Sequence, residues 1–169
     1  MAHRQLYLLR HGKSSWDEDL PDRERPLARR GERAAELMGR FLTDVGEAPD
    51  RVLTSNAVRA ATTAALAASA GRWRGEIVEV PELYGATATE LLDVVAGRAG
   101  AAERVVVVGH EPTMSQAIGT LCGRQRVRFP TAALARLDLD VGRWEGIARG
   151  SGELRWLVTP RLLQSAGRR

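Results

Sequence analysis

Four consecutive valines at residues 105–108 constrain the fold of this chain more than any other feature. A β-branched run bounded by an arginine and a glycine is typical of a central strand in a parallel sheet, where both faces are buried. A second apolar run, at residues 6–9, leads into Arg10 and His11. We predict that both runs are buried strands. Each run is followed by a histidine beside a glycine.

Strand-like segments alternate with segments of helical periodicity along the chain. Such alternation favours a mostly parallel sheet with helices on both faces. We therefore predict the α/β class, with a three-layer α/β/α sandwich formed by a single domain over residues 1–169. The predicted strands are 6–9, 51–54, 76–80, 104–108, 133–141 and 154–159, and the predicted helices are 26–45, 57–70, 87–98, 112–122 and 161–164.

Charge and composition narrow the class of protein. The formal net charge is +4, which suits an anionic ligand, but aromatic residues make up only 5% of the chain. They are not interleaved with the basic residues, so we expect no nucleic-acid binding. No stretch approaches the roughly 20 apolar residues of a membrane span, and the N-terminus lacks a secretory pattern. Cys122 is the only cysteine, which excludes an intrachain disulfide, so we expect a cytoplasmic protein without membrane contact.

The residues best suited to chemistry follow the first, second and fourth predicted strands. The carboxyl ends of parallel strands share one edge of a sheet, so we expect Arg10 and His11 near His110 and Arg59. Two guanidinium groups and two imidazoles fit the oxygens of a phosphoryl group, because arginine matches phosphate in a two-pronged geometry. A neutral histidine can attack phosphorus and form a covalent intermediate, while arginines stabilise the charge on the oxygens.

Two other motifs give weaker evidence for a functional site. Residues 12–14, Gly-Lys-Ser, resemble the end of a phosphate-binding P-loop, but Tyr7 stands where that motif requires glycine. Cys122 lies late in a predicted helix with apolar neighbours, which favours a place in the core over a role as nucleophile.

A metal site is a further alternative. His11 and His110 could hold a metal ion together with Glu82 or Asp17. Two arginines close to such a site would repel the cation. We therefore expect no metal and no other cofactor.

Four segments, taken in order, resemble the histidine phosphatase superfamily, which includes the cofactor-dependent phosphoglycerate mutases. They are LRHG at 9–12, TSNAVRAATTA at 54–64, ELY at 82–84 and VVGHEP at 107–112. The compact length, together with KSSWD at 13–17 and RPLARRG at 25–31, is most similar to the small SixA-type branch of phosphohistidine phosphatases. The resemblance covers nearly the whole chain and implies a phosphoglycerate mutase-like fold and phosphatase activity without a metal.

The resemblance also implies a role for individual residues. His11 is the implied nucleophile, which becomes phosphorylated, and Arg10, Arg59 and His110 complete the phosphate pocket. The backbone N–H of Glu111 is a further implied donor. The predicted substrate-binding residues are Arg10, Arg59, His110, Glu111 and Ser14.

The sequence offers several candidates for the general acid. Larger members of the superfamily carry a glutamate on an insertion near the third strand, and this chain has no such insertion. Glu82 is the nearest carboxylate in sequence and is the predicted acid, with Asp17 and Glu111 as competitors. A further alternative is that no dedicated acid exists, because a phosphorylated imidazole is already a good leaving group.

The missing insertion also bears on the substrate, because nothing would close over a small sugar phosphate. We predict an open pocket that admits a phosphohistidine on another protein. A small phosphomonoester, and a non-catalytic phosphate-binding or phosphoprotein-binding module, are the alternatives. The basic segment from Arg23 to Arg33 is interpreted as a solvated helix face, with contact to an acidic protein partner as the alternative.

Overall fold

The computed structural model describes residues 3–17, 19–123 and 126–167. Its strands are β1 (Arg4–Arg10), β2 (Arg51–Thr54), β3 (Glu76–Glu79), β4 (Arg104–Gly109), β5 (Leu134–Leu139) and β6 (Gly152–Val158). Its helices are α1 (Arg29–Asp44), α2 (Val58–Gly71), α3 (Ala88–Arg98), α4 (Thr113–Cys122) and α5 (Pro160–Ala166). The strands form one six-stranded sheet in the order β3-β2-β4-β1-β5-β6.

The valine run forms β4, in the middle of the parallel part of the sheet. β4 pairs in parallel with β1 and β2, and β2 pairs in parallel with β3. The four valines are 0% exposed, because both faces of the strand are covered, as the run predicted. β5 runs antiparallel to both β1 and β6, so the sheet is mostly parallel with one reversed strand.

Each face of the sheet packs against its own helix layer. Leu6 and Leu8 point to the face covered by α3 and α4, while Tyr7 and Leu9 point to the face covered by α1 and α2. The helices α1 and α2 approach closely, since a Cβ atom at Gly39 would lie 1.9 Å from a backbone oxygen of α2. The predicted three-layer α/β/α arrangement is confirmed.

The start of α1 differs from the prediction. The helix begins at Arg29 rather than at Pro26, because the chain ahead of it is held in an extended form. Ser14 forms an antiparallel bridge with Leu27, and two further backbone hydrogen bonds join the same two segments. Arg25 is consequently buried, and the interpretation of its segment as a solvated helix face is wrong at this residue.

The other predicted boundaries agree with the structure to within a few residues. β5 ends at Leu139 and β6 begins at Gly152, while the predicted short helix near the C-terminus is α5. Among the described residues, no helix combines the length and the apolar character that crossing a membrane would require.

Candidate active site

The carboxyl ends of β1 and β4 bring two histidines together. The parallel register pairs Arg10 with Gly109, and the backbone N–H of His11 donates to the Gly109 oxygen at 3.0 Å. The ring centroids of His11 and His110 are 5.2 Å apart, in a cleft of about 440 Å³. Of the predicted site residues, the cleft is lined by Arg10, His11, Ser14, Arg59, His110 and Glu111.

One hydrogen bond fixes the tautomer of the His11 ring. The Nδ1 atom lies 2.7 Å from the carbonyl oxygen of Gly12. A carbonyl oxygen only accepts, so this contact assigns the proton to Nδ1 and leaves the lone pair on Nε2. Burial lowers the pKa of His11 to about 4, the charge of neighbouring groups adds to this, and the hydrogen bond to Gly12 opposes it. The ring is therefore neutral at pH 7.

The Gly12 backbone is itself held by close packing. Its N–H donates to the Thr63 hydroxyl of α2 at 3.0 Å. A Cβ atom at Gly12 would lie 2.6 Å from the carbonyl oxygen of Gly31 in α1, so only glycine allows this approach. The contacts of Gly12 with α1 and α2 thus position the carbonyl group that orients His11.

His110 is oriented from β2 through a serine. Its Nε2 atom lies 2.9 Å from the Ser55 hydroxyl, which also accepts the backbone N–H of Ala57 at 3.2 Å. The Ser55 hydroxyl keeps one hydrogen and one lone pair for His110, so this contact holds the ring in place in either of its tautomers. Burial lowers the pKa of His110 to about 4, and the positive charge of Arg59 adds to this effect.

Arg59 reaches the cleft from α2 and is held by a carboxylate that sequence analysis assigned no role. It is 6% exposed and donates to the backbone oxygen of Asp22 at 2.6 Å and to Oδ2 of Asp22 at 3.0 Å. The Tyr84 hydroxyl donates to the same Oδ2 at 2.7 Å. That hydrogen bond is the largest cause that lowers the pKa of Asp22 to about 2, followed among the lowering effects by Arg59. Asp22 is therefore an anion in the cleft at neutral pH.

Arg10 is held by the backbone instead. It donates to the carbonyl oxygen of Phe129, ahead of β5, at 2.9 Å. The Nε atoms of Arg10 and Arg59 and the Nδ1 atom of His110 are buried and form no hydrogen bond with a described residue. Buried polar atoms without a partner carry a cost in free energy.

Arg25 is a cleft residue that the sequence analysis did not predict. It donates to the Ser14 hydroxyl at 3.0 Å and to Oδ1 of Asp22 at 3.2 Å. Its guanidinium carbon lies 3.4 Å from the ring centroid of Trp16, which is 71% exposed and forms part of the rim. The one sequence signal for Arg25 is its place in the RPLARRG segment. Helical periodicity gives no information about a residue that precedes the helix.

Glu111 is the one predicted acid that lines the described part of the cleft. Its carboxylate accepts the backbone N–H of Ser115 at 2.7 Å and the Ser115 hydroxyl at 2.8 Å. Both contacts lie in the first turn of α4, where a carboxylate is stabilised by the helix dipole.

The structure does not bring Glu82 to His11. The Glu82 side chain is 61% exposed and lies 3.7 Å from a guanidinium nitrogen of Arg98. The reason is the short turn Pro81–Leu83, which buries Leu83 in the core and leaves Glu82 outside. Asp17 is exposed and does not line the cleft either.

Other kinds of site find little support. Within residues 3–17, 19–123 and 126–167, no group of three or more His, Cys, Asp or Glu side chains is arranged to hold a metal ion. Cys122 is half-buried, and burial raises the pKa of its thiol, which disfavours the reactive thiolate.

Comparison with known proteins decides the family. The family model of the histidine phosphatase superfamily (branch 1) matches residues 6–87, which include Arg10, His11 and Arg59. The uncharacterized protein Rv1276c of Mycobacterium tuberculosis is 32% identical over 163 residues, which cover 90% of this chain and 100% of the relative. This chain belongs to the histidine phosphatase superfamily.

Two solved structures extend the similarity over the whole fold. The protein histidine phosphatase SixA complexed with tungstate has a TM-score of 0.82 and 26% identity, covering 94% of this chain and 99% of that one. SixA from Agrobacterium tumefaciens has a TM-score of 0.79 and 27% identity, covering 93% and 98%. Within the superfamily this histidine phosphatase is of the SixA type and has the phosphoglycerate mutase-like fold. It is a phosphatase, an enzyme that hydrolyses phosphoryl groups.

Proposed function

We propose that this histidine phosphatase removes the phosphoryl group from a phosphohistidine on another protein, through a covalent phosphohistidine on His11. The observation that carries the proposal is the hydrogen bond from Nδ1 of His11 to the carbonyl oxygen of Gly12. It leaves a neutral ring with its Nε2 lone pair in a cleft lined by Arg10, Arg59 and His110. Neutral imidazole is the form that can attack phosphorus.

In the first half of the reaction, Nε2 of His11 attacks phosphorus and forms a new N–P bond. The P–N bond to the substrate imidazole breaks, and the released nitrogen takes a proton from water. In the second half, water attacks the phosphorus of phosphorylated His11 and the N–P bond breaks. Inorganic phosphate leaves, a proton passes to solvent, and Nε2 regains its lone pair.

The charge that spreads over the phosphoryl oxygens needs positioned donors. The guanidinium groups of Arg10 and Arg59 and the imidazole of His110 line the cleft and suit this task. The backbone N–H of Glu111 is proposed as a further donor. Ser14 contributes indirectly, because its hydroxyl accepts from Arg25 and so helps to hold that guanidinium at the cleft.

The carboxylates of the described cleft support a substrate with a good leaving group. The low pKa of Asp22, about 2, keeps it ionised, and Glu111 is engaged by Ser115. An alkoxide leaving group needs a proton from an acid, and imidazole departs with much less help. We therefore prefer a phosphohistidine over an alkyl phosphomonoester.

The test compares a synthetic phosphohistidine peptide with p-nitrophenyl phosphate, using the wild type and His11→Ala. We expect kcat/KM for the peptide to be at least about tenfold higher, and His11→Ala to lower both values by about 10³-fold or more. Exposed His3 provides the matched control, and His3→Ala is expected to match the wild type.

Two results would contradict the proposal. Turnover of p-nitrophenyl phosphate without turnover of the peptide would replace the phosphoprotein by a small phosphomonoester. Activity retained by His11→Ala would remove the proposed nucleophile, and a labelled phosphoryl group trapped on another residue would identify its replacement.

A further inference from the structure

A second concave surface adjoins the catalytic cleft. It has a volume of about 650 Å³ and shares Lys13 and Thr131 with the cleft. We call it the basic groove, because its charged lining residues are Lys13, Arg30, Arg128 and Arg161. None of the described residues that line it is acidic.

The four cations come from four different parts of the fold. Lys13 follows β1, Arg30 belongs to α1, Arg128 precedes β5 and Arg161 belongs to α5. All four side chains are exposed, and none of them forms a hydrogen bond or ion pair with another described residue. A surface of one charge sign next to a catalytic site attracts a partner of the opposite sign and raises the rate of encounter.

We propose that the basic groove binds acidic side chains of the phosphoprotein substrate, close to its phosphohistidine. This inference rests on the proposed function and adds a rule for substrate selection, namely that aspartate and glutamate near the phosphohistidine improve the substrate.

The exposure of the four cations favours a protein over a small anion. An exposed ion pair contributes little by itself, so a small ligand that met one or two of these side chains would gain little affinity. A protein surface that presents several carboxylates engages all four cations at once. The groove is also lined by Ala34, Pro130 and Pro160, which supply apolar area of the kind found in protein interfaces.

The test uses two synthetic phosphohistidine peptides, one with glutamates flanking the phosphohistidine and one with alanines in their place. Hydrolysis is measured for the wild type and for the triple variant Arg30→Glu, Arg128→Glu, Arg161→Glu. Lys13 is left unchanged because it also lines the cleft. The control triple variant makes the same Arg→Glu change at Arg74, Arg143 and Arg149. These residues are exposed and line neither the cleft nor the groove.

We expect the wild type and the control variant to prefer the acidic peptide by about tenfold in kcat/KM, mainly through KM, and the groove variant to lose this preference. The value for p-nitrophenyl phosphate should be unchanged in all three proteins. The preference should also shrink with added salt in the wild type. The single variant Arg161→Gln provides a milder change and should show part of the same loss.

The outcomes separate this inference from the proposed function. If the wild type hydrolyses both peptides equally, the groove proposal is wrong and the phosphohistidine substrate stands. If it hydrolyses p-nitrophenyl phosphate and neither peptide, the proposed function fails and the groove proposal fails with it. If the groove variants lose activity on p-nitrophenyl phosphate as well, these cations serve the phosphoryl site or the fold, and the docking role is excluded.

Discussion

The catalytic cleft and the basic groove are neighbouring cationic surfaces built in different ways. In the cleft, Arg25 and Arg59 are buried and bonded to acceptors, above all to Asp22. In the groove, the cations are exposed and bond to no described residue. A buried charge needs partners, and those partners also fix its direction. An exposed charge attracts at a distance and keeps its conformational freedom.

This difference in construction suits the two surfaces to different roles in binding. The cleft can pre-organise donors around a phosphoryl group, which lowers a reaction barrier because little reorganisation is left for the transition state. The groove can collect a charged partner and contributes little to the geometry of the reaction. Substitutions in the cleft should therefore change kcat, whereas substitutions in the groove should change only binding.

The largest expected contrast is between two arginines. Arg59→Ala should lower kcat/KM for p-nitrophenyl phosphate by about 10²- to 10³-fold, because the proposed donor to the phosphoryl oxygens is lost. Arg161→Ala in the groove should change the same value by less than about twofold. Steady-state kinetics at constant ionic strength checks both values, and equal losses in the two variants would erase the distinction between the surfaces.

Acid should destabilise the protein through the cleft. Burial lowers the pKa of His11 and His110 to about 4, whereas a histidine in the unfolded chain titrates near 6.5. Between these values the unfolded chain binds more protons. The free energy of unfolding should therefore fall as the pH decreases from about 6.5 to about 4.

Urea unfolding at pH 7 and pH 5 measures this effect, and His110→Gln should reduce the difference between the two values. The control is His3→Gln, at an exposed position, which should leave the difference unchanged. An unaltered pH dependence in His110→Gln would show that His110 titrates normally in the folded protein.

Substitution of Asp22 should have a smaller effect, and it should strengthen the binding of an anion in the cleft. Asp22→Asn keeps the size of the side chain and removes the negative charge next to Arg59 and Arg25. Inorganic phosphate or tungstate should then bind more tightly, by about threefold to tenfold, because less repulsion opposes the anion. Calorimetric titration tests this, with Asp44→Asn at an exposed position as the control. Weaker binding would mean that Asp22 is required to hold Arg59 in place.

The smallest effect concerns Ser14. Removing its hydroxyl should lower the free energy of unfolding by about 1–2 kcal/mol, because Arg25 loses one hydrogen bond. The value of kcat should change by less than about tenfold, since Ser14 acts through Arg25. Chemical denaturation and kinetics of Ser14→Ala, with exposed Ser69→Ala as the control, check both points. A loss confined to KM would instead indicate that Ser14 contacts the substrate directly.

The sequence by itself determined that the sheet is mostly parallel and that four residues converge at one of its edges. The valine run and the apolar run before Arg10 are continuous apolar segments, which are typical of a strand buried on both faces. Parallel pairing then brings His11 and His110 to the same edge, because the carboxyl ends of the strands share it. Arg59 reaches the same edge because it lies in the first turn of α2, the helix that follows β2.

Only the tertiary structure decided how these residues are held and what surrounds them. Asp22 and Arg25 lie in a segment without helical or strand periodicity, so no local pattern predicts that this segment folds back over the cleft. Glu82 is near the site in sequence and outside it in space, because the turn at Pro81–Leu83 buries Leu83 instead. The basic groove joins side chains from distant parts of the chain. Contacts of this kind depend on packing between elements, which a pattern along a single chain does not record.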